Sequence, residues 1–204
     1  MDIYANQNYN EKVAVITGGA GVLGSELARS LADNGVKVAI LDINEESARE
    51  VADNIKESGG TALGVEANVL DKESLQKAEQ KILDELGPVN IFINGAGGNH
   101  PKGTTDNEFL KNEDLSETKN DLKTFFDLDQ EGIEFVFNLN FLGTLLTSQV
   151  FSRNMIDNEE PIIINISSMN AFKPLTKIPA YSGAKAAVSN FTQWLAVHMS
   201  KVGI

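Results

Sequence analysis

The chain has 204 residues, of which 42% are hydrophobic and 23% are charged, a balance typical of a globular protein. The 29 acidic residues outnumber the 17 basic ones and give a net charge of −12, which disfavours nucleic acid and anionic membranes as partners. No apolar run reaches the roughly 18 residues of a membrane span, and no cysteine is present to form a disulfide framework. These features predict a cytoplasmic protein without nucleic-acid or membrane partners.

Short apolar runs alternate with helical patterns along most of the chain. The predicted strands cover residues 12–17, 36–41, 61–67, 89–93 and 162–166. The first helix follows the spacing of Leu23, Leu27 and Leu31, and Asp71 is placed to cap the third helix. Strands that alternate with helices of this length predict βαβ units with right-handed crossovers. We therefore predict an α/β fold, a doubly wound parallel sheet of the Rossmann-like type, in a single domain over residues 1–204.

The alternation of strands and helices breaks at residues 98–130, which we call the insert. The insert is rich in turn residues and then acidic, with few apolar positions. A connection this long is usually a functional lid or a disordered segment, and we expect a lid beside the site. The acidic run 107–121 is expected to form a solvated face. Long helices are predicted after the insert at residues 131–152 and 180–201.

A glycine-rich loop joins the first strand to the first helix, with the sequence Gly18-Gly-Ala-Gly-Val-Leu-Gly24. Backbone N–H groups at a helix N-terminus attract an anion, and glycines allow a close approach. The loop therefore predicts a site for a dinucleotide pyrophosphate. The residues expected to form it are Gly18, Gly21, Val22, Leu23 and Gly24. The alternative is a tight turn whose glycines serve only packing.

Two further strand ends are expected to meet the same dinucleotide. Asp42 ends the second strand, where a carboxylate accepts hydrogen bonds from ribose hydroxyls and repels a 2′-phosphate, which favours NAD over NADP. The alternative role for Asp42 is that of a helix cap or a solvated turn residue, which Asn44 could serve equally well. Asn94, Gly95 and Ala96 follow the fourth strand, where small residues let the backbone lie against a flat ring. A plain turn is the alternative for this segment.

Tyr181 and Lys185 lie four positions apart, with small residues between them. On a helix they share one face, so the phenol and the ammonium can act at one site. A nearby ammonium stabilises a phenolate, and the pair is therefore a candidate general acid and base. A half-buried tyrosine beside a solvated lysine is the plainer interpretation of this spacing when it is taken alone.

The combination of these features resembles the short-chain dehydrogenase/reductase family over residues 10–204. The glycine loop, Asp42 and the segment 94–97 match the family's cofactor half. Ser168 lies 13 residues before Tyr181, and Asn140-Phe-Leu-Gly143 fits the family's Asn-x-x-Gly pattern. The resemblance implies an NAD(H)-dependent oxidoreductase acting on a carbonyl/alcohol pair.

The resemblance also implies a role for each matched side chain. Tyr181 would exchange a proton with the substrate oxygen, and Lys185 would stabilise the phenolate and bind the nicotinamide ribose. Ser168 would orient the reacting carbonyl, and Asn140 would hold a water that links Lys185 to solvent. Positions 68 and 69, Asn-Val where many relatives have Asp-Val, would place Asn68 and Val69 beside the adenine.

Three segments narrow the resemblance to the D-mannonate oxidoreductase (fructuronate reductase) group: residues 98–101, the insert and residues 166–172. This implies a hexonic acid as substrate, with His100 as a residue that meets a substrate carboxylate or hydroxyl. The alternative for His100 is to stabilise its own loop. Other sugar or polyol dehydrogenases of the family, and a protein that binds NAD without turnover, stay open as alternatives.

Two features depart from the family's pattern. Val22 stands where relatives often carry a glycine of the loop, and Gly21 comes one position earlier. Relatives also continue past the position of Ile204 with two more strands of a seven-stranded sheet, so we expect the domain to be C-terminally incomplete here. The resemblance further implies a homo-oligomer, a tetramer or dimer, formed through the helices that carry Asn140 and Tyr181. No residue spacing suggests a metal site, and His198 is expected to serve packing.

Overall fold

The sheet is parallel throughout, in the computed structural model that describes residues 9–116 and 121–204. Its order is β3-β2-β1-β4-β5. The strands are β1 Val13–Thr17, β2 Lys37–Asp42, β3 Ala62–Glu66, β4 Ile91–Asn94 and β5 Ile162–Asn165. The strand order reverses between β1 and β4, which is the position where open α/β sheets bind ligands. The predicted doubly wound parallel sheet is confirmed.

Helices cover both faces of this sheet. They are α1 Val22–Asp33, α2 Glu45–Glu57, α3 Lys72–Glu85, α4 Gln130–Phe137, α5 Gly143–Phe151 and α6 Pro179–Met199. Successive residues of β1 point to opposite faces, so Val15 joins the core beneath α3 and α5, while Ile16 joins the core beneath α1 and α2. All five residues of β1 are buried, as expected for a central parallel strand. Within the described residues, every helix is too short or too polar to traverse a lipid bilayer.

The buried face of α1 consists of small residues. Gly24, Ser25, Ala28 and Ala32 face inward, whereas Leu23 is 57% exposed. The reason is the close approach of α1 to the glycine loop: a Cβ at Gly24 would lie 2.4 Å from the carbonyl oxygen of Gly18. Only small side chains fit a face this near the backbone. Leu27 and Leu31 are partly buried against the same core, so the leucine spacing indicated the helix correctly, and Leu23 alone of the three stays exposed.

The predicted long helix over 131–152 is interrupted. A π-helical turn over Asn138–Leu142 separates α4 from α5. The Asn140 side chain donates to the carbonyl of Val136 at 2.8 Å, and the Thr144 hydroxyl donates to the carbonyl of Asn140 at 2.8 Å. Side-chain hydrogen bonds that compete with the helix ladder are a known cause of such turns, which occur often at functional sites.

The insert is tied to the rest of the domain where the structure describes it. The Thr105 N–H donates to the carbonyl of Lys177 at 2.9 Å, just before α6. A second bond is internal to the insert, from the Lys123 ammonium to the carbonyl of Pro101 at 3.0 Å. Asp114 is only 6% exposed and accepts from the Lys111 N–H, so the prediction of a solvated acidic face is wrong at this residue. Residues 117–120 of the predicted acidic face lie outside the described residues.

Candidate active site

A cavity of about 600 Å³ opens at the carboxyl ends of β1, β2 and β4. Ten of the predicted cofactor residues line it: Gly18, Gly21, Val22, Leu23, Gly24, Asp42, Asn68, Val69, Gly95 and Ala96. Its wall is completed by residues that the sequence did not point to, among them Ile43, Leu70, Phe135 and Leu139. The i, i+4 spacing of Phe135 and Leu139 was the signal that could have placed both on one face of a helix.

The glycine loop is shaped by contacts that exclude side chains. Gly18 has a positive φ of 63°, and a Cβ there would lie 2.8 Å from the Cα of Ala96. Gly21 precedes α1 and provides no side-chain cap, so the backbone of the first helical turn faces the cavity. The glycines of the loop therefore do serve close packing. Because they carry no side chains, they also leave room for an anion at the N-terminus of α1.

Asp42 is held toward the loop instead of capping a helix. Its carboxylate accepts hydrogen bonds from the N–H groups of Ala20 and Asn44, both at 3.2 Å. The cap of α2 is Asn44, whose side chain accepts from the Ser47 N–H at 3.0 Å. The alternative that Asp42 caps α2 is therefore wrong, and its carboxylate lines the cavity.

Asn94 supports the cleft from inside the protein. It is 3% exposed, and its amide nitrogen donates to the hydroxyl of Ser148 at 3.0 Å and to the Asn165 side chain at 2.8 Å. Thr147 donates a further hydrogen bond to its oxygen. The residue therefore connects β4 with α5 and β5 and does not line the cavity, although it was predicted to contact the cofactor.

Asn140 is fully buried, and its side chain reaches across to the loop after β4. The amide nitrogen donates to the carbonyl of Gly98 at 2.7 Å, and the amide oxygen accepts from the Gly98 N–H at 3.2 Å. This pair of bonds fixes both groups of the Gly98 backbone. Asn140 lies in the π-helical turn, and the same amide nitrogen also donates to the carbonyl of Val136.

The side chain of Lys185, on α6, lies beside the same loop after β4. It is 4% exposed, and its ammonium donates to the carbonyl of Ile166 at 2.8 Å. A Cβ at Gly97 would lie 3.2 Å from the Lys185 nitrogen and 2.6 Å from the Asn140 side-chain oxygen, so both polar groups border Gly97. Burial lowers the pKa of Lys185, since it disfavours the charged amine.

Tyr181 lies on the same face of α6 as Lys185, as its spacing predicted. The Lys185 nitrogen is 5.7 Å from the centre of the Tyr181 ring. The half-buried ring packs with Val136 of α4 and with Ala180 and Ala184 of its own helix. The plainer interpretation, a solvated lysine beside the tyrosine, is wrong because Lys185 is buried.

Ser168 follows β5 and begins a 3₁₀ turn over Met169–Ala171 that packs against α6. Its hydroxyl accepts from the Asn170 N–H at 3.2 Å, so it caps this turn in the way expected of a strand-end hydroxyl. The neighbouring Ser167 hydroxyl donates to the carbonyl of Lys185 at 3.1 Å. The segment that carries Ser168 is therefore fixed beside the helix that carries Tyr181 and Lys185.

The two histidines both have structural contacts. The Nδ1 atom of His100 accepts from the Lys102 N–H at 3.1 Å, and its ring lies 5.0 Å from that of Phe135. These contacts stabilise the loop after β4, which was the alternative for His100. His198 stacks on Trp194 at 4.7 Å, which confirms a packing role. In the part of the chain that the structure describes, no group of three or more His, Asp or Glu residues is placed to hold a metal ion.

Comparison with known proteins gives relatives along the whole chain. An uncharacterized oxidoreductase of Haemophilus influenzae is 57% identical over 204 residues, which are 100% of this chain and 70% of that protein. The oxidoreductase UxuB of Bacillus subtilis is 48% identical over 199 residues, or 98% of this chain and 69% of that protein.

Solved structures agree with the fold. A crystal structure from Haemophilus influenzae, provisionally described as a D-mannonate oxidoreductase and containing bound NAD, has a TM-score of 0.92 at 57% identity. It matches 98% of this chain and 70% of its own. An NAD⁺-bound xylitol dehydrogenase has a TM-score of 0.83 at 23% identity, over 97% of this chain and 68% of its own, and shows the fold alone.

The sequence profile of the short chain dehydrogenases matches residues 12–204. That range includes the glycine loop, the π-helical turn and α6, so it takes in the cavity and the buried lysine described above. This chain is a member of the short-chain dehydrogenase family.

Proposed function

We propose that this short-chain dehydrogenase transfers hydride between NAD(H) and the CH–OH/carbonyl pair of a sugar acid, with D-fructuronate and D-mannonate as the preferred couple. The observation that carries the proposal is the buried Lys185 ammonium, which borders Gly97 together with Asn140 and lies 5.7 Å from the Tyr181 ring. A protein that only holds a dinucleotide has no need of proton-transfer groups in this arrangement. The NAD-bound relative at 57% identity supports both the cofactor and the substrate group.

The residues at the cavity fit a dinucleotide. The glycine loop leaves no space for a Cβ at Gly18 or Gly24, so the backbone can approach a pyrophosphate there. Asp42 accepts hydrogen bonds from ribose hydroxyls and repels a 2′-phosphate, which favours NAD over NADP. Asn68 and Val69 line the same cavity, and we assign them to the adenine.

In this proposal, different side chains donate the proton, stabilise the phenolate and orient the carbonyl. NADH, when bound, supplies the hydride. Tyr181 donates a proton to the substrate oxygen, and the Lys185 ammonium stabilises the phenolate that is left. The Ser168 hydroxyl donates a hydrogen bond to the substrate oxygen and so orients the carbonyl, as a preorganised donor does.

Asn140 has a positioning and relay role in this proposal. Its side chain fixes the backbone of Gly98 from both sides, which holds the loop that contains Gly97 against Lys185. A water held by Asn140 connects Lys185 to solvent, so that the proton lost by Tyr181 is replaced.

A hexonic acid is an anion, and the chain has a net charge of −12, so a local cation has to meet the carboxylate. Lys102 is paired with Glu131 at 3.2 Å and with Asp129 at 3.8 Å, which weakens it as a partner for the substrate. Lys173 lies at the end of the turn that begins at Ser168, and its N–H donates to the carbonyl of Met169. We therefore favour Lys173, with His100 as the residue that meets a substrate hydroxyl.

The insert acts as a lid over this substrate. Its hydrogen bond from Thr105 to Lys177 joins it to the segment that leads into Tyr181. A small cavity of about 190 Å³ separates its apolar side chains, Phe109 and Phe125 among them, from Pro179. Movement of the insert would therefore displace the start of α6.

We also propose a cytoplasmic homo-oligomer, a tetramer or dimer. The helices that carry Asn140 and Tyr181 expose large apolar side chains, including Trp194 at 56% and Val197 at 78%. Sizing chromatography with light scattering should show a dimer or tetramer. A purely monomeric profile across micromolar concentrations would contradict this part of the proposal.

The activity is tested by following NADH oxidation with D-fructuronate and with a panel of sugar ketones, for this chain and for a longer form that extends past Ile204. Fructuronate should give the highest kcat/KM, and NADPH should be the poorer cofactor. A better substrate elsewhere in the panel would favour another sugar or polyol dehydrogenase. NADH binding without turnover in both forms would instead favour a non-catalytic binding protein.

A further inference from the structure

The amide of Asn170 differs from the other buried amides around the site. Asn170 is 5% exposed, and its side-chain oxygen is buried without a hydrogen-bond partner in the described part of the chain. Asn94 and Asn140 are buried to a similar extent, and each uses both ends of its amide in hydrogen bonds. Buried polar groups in native proteins are nearly always paired, so an unpaired one calls for a specific explanation.

Asn170 lies beside the residues that we assign to the reaction. It lies two residues after Ser168, and its N–H donates to the Ser168 hydroxyl at 3.2 Å. The turn Met169–Ala171 packs against α6, which carries Tyr181. The backbone of Asn170 is therefore held at a fixed place next to the hydroxyl that we assign to the reacting carbonyl.

We infer that Asn170 is a substrate-binding residue whose amide accepts a hydrogen bond from a hydroxyl on a carbon adjacent to the reacting one. This inference rests on the proposed function and makes it more specific, because it requires a substrate hydroxylated beside the carbonyl. A rotation of the amide by 180° exchanges its oxygen and nitrogen with little change of shape, so the oxygen can turn to meet a substrate hydroxyl.

Asn170 also gives the site a means of rejecting simple ketones. A substrate without the neighbouring hydroxyl leaves the amide oxygen unpaired, whereas the hydroxylated substrate pairs it. Sites built to bind a substrate hydroxyl discriminate strongly against analogues that lack it. We therefore expect specificity for hydroxylated ketones to depend on this one side chain.

The test compares wild type with Asn170→Leu, which keeps a similar size and removes the amide. The control is Met169→Leu, one position earlier in the turn, where the side chain is 63% exposed. Each protein is assayed with the best sugar ketone of the panel and with the analogue that lacks the hydroxyl next to the carbonyl. NADH affinity and thermal stability are measured in parallel.

Wild type and Met169→Leu should prefer the hydroxylated ketone by about tenfold or more in kcat/KM, the scale of one lost hydrogen bond in a polar site. Asn170→Leu should lose most of that preference, chiefly through a higher KM for the hydroxylated ketone. Its NADH affinity should stay within about threefold of wild type. Its melting temperature should not fall, because the substitution removes an unpaired buried oxygen.

An unchanged preference in Asn170→Leu would overturn the inference while leaving the proposed function in place. In that case a lower melting temperature would assign Asn170 to a structural hydrogen bond, for instance to a buried water. If the wild-type protein oxidised NADH with none of the ketones, the proposed function would fail first, and the inference would fail with it.

Discussion

The two halves of the candidate site are built by different means. The cofactor half lies at the ends of β1, β2 and β4, where glycine backbone atoms approach one another and no side chain fits at Gly18 or Gly24. The reaction half brings together Asn140, Tyr181 and Lys185 through hydrogen bonds and contacts of buried side chains. One half is therefore sensitive to added volume, and the other to the loss or displacement of a polar group.

This difference also separates what each half does. Added volume in the glycine loop displaces the backbone that we assign to the cofactor, so we expect it to act on binding. Removal of a polar group from the reaction half keeps the glycine loop that lines the cavity, so we expect it to act chiefly on turnover. Substitutions in the cofactor half should therefore change cofactor binding, and substitutions in the reaction half should change turnover.

The largest effect is expected for Tyr181→Phe. This change removes the proton donor and keeps the ring that packs on Val136, so kcat should fall by about 10²- to 10⁴-fold. The NADH dissociation constant, measured by fluorescence, should stay within a few-fold. Tyr9→Phe, at the edge of the α1 and α2 core, is the control and should keep full activity. Substantial turnover by Tyr181→Phe would defeat the catalytic assignment.

The matched pair Gly24→Ala and Gly21→Ala tests the cofactor half. A Cβ at Gly24 lies 2.4 Å from the carbonyl oxygen of Gly18, whereas the nearest atom at Gly21 is 3.3 Å away. Forced overpacking of this kind costs about 1–3 kcal/mol of stability, and NADH affinity should fall by about tenfold or more in Gly24→Ala. Calorimetric titration with NADH checks this. Equal losses in both variants would show that the close approach does not control binding.

A second glycine pair tests where the reaction half converges. A Cβ at Gly97 lies 2.6 Å from the Asn140 oxygen and 3.2 Å from the Lys185 nitrogen, while the nearest atom at Gly98 is 3.8 Å away. Gly97→Ala should displace these groups and lower kcat by about tenfold, and Gly98→Ala should lower it less. The kcat of both variants is measured by steady-state kinetics. The proposed convergence would be refuted by a fully active Gly97→Ala.

A smaller effect is expected at Asp42. Asp42→Ala removes the carboxylate that repels a 2′-phosphate, so the preference for NADH over NADPH should narrow several-fold. Asn44→Ala is the matched control, because it removes the cap of α2 and should cost about 1 kcal/mol of stability without changing the preference. The ratio of kcat/KM for the two cofactors is the measurement. A ratio that is identical in Asp42→Ala and wild type would count against the ribose contact.

The smallest effect is a pH dependence of stability. The pKa of Lys185 is lowered by burial in the folded state, so between that value and the ordinary lysine pKa the unfolded chain binds more protons. Wild-type stability relative to Lys185→Met should therefore rise as the pH increases through this window, and fall as the pH decreases. Urea unfolding of both proteins at several alkaline pH values tests this. A difference that is constant with pH would show that Lys185 has its ordinary pKa when folded.

Sequence reasoning was most successful where the pattern is local. The strands, the glycine loop and the Asp71 cap were all predicted from neighbouring residues, and Asp71 accepts from the N–H groups of Glu73 and Ser74. The spacing of Leu23, Leu27 and Leu31 also indicated α1, but the closeness of the glycine loop decided that Leu23 stays exposed. Sequence reasoning also missed the π-helical turn. No local pattern around Asn138–Leu142 indicates that a side chain of this segment forms hydrogen bonds with Gly98.

The sequence by itself determined that a parallel α/β sheet forms, that glycines open its first helix, and that Tyr181 and Lys185 share a helical face, because each of these follows from spacing within one segment. Only the tertiary structure decided that Asn140 reaches Gly98, 42 residues away, and that Lys185 is buried against Ile166. It also left the oxygen of Asn170 without a hydrogen-bond partner among the residues that the structure describes. The physical reason is that hydrogen bonds between distant segments depend on how the helices pack on the sheet, and no periodicity in the chain encodes that packing.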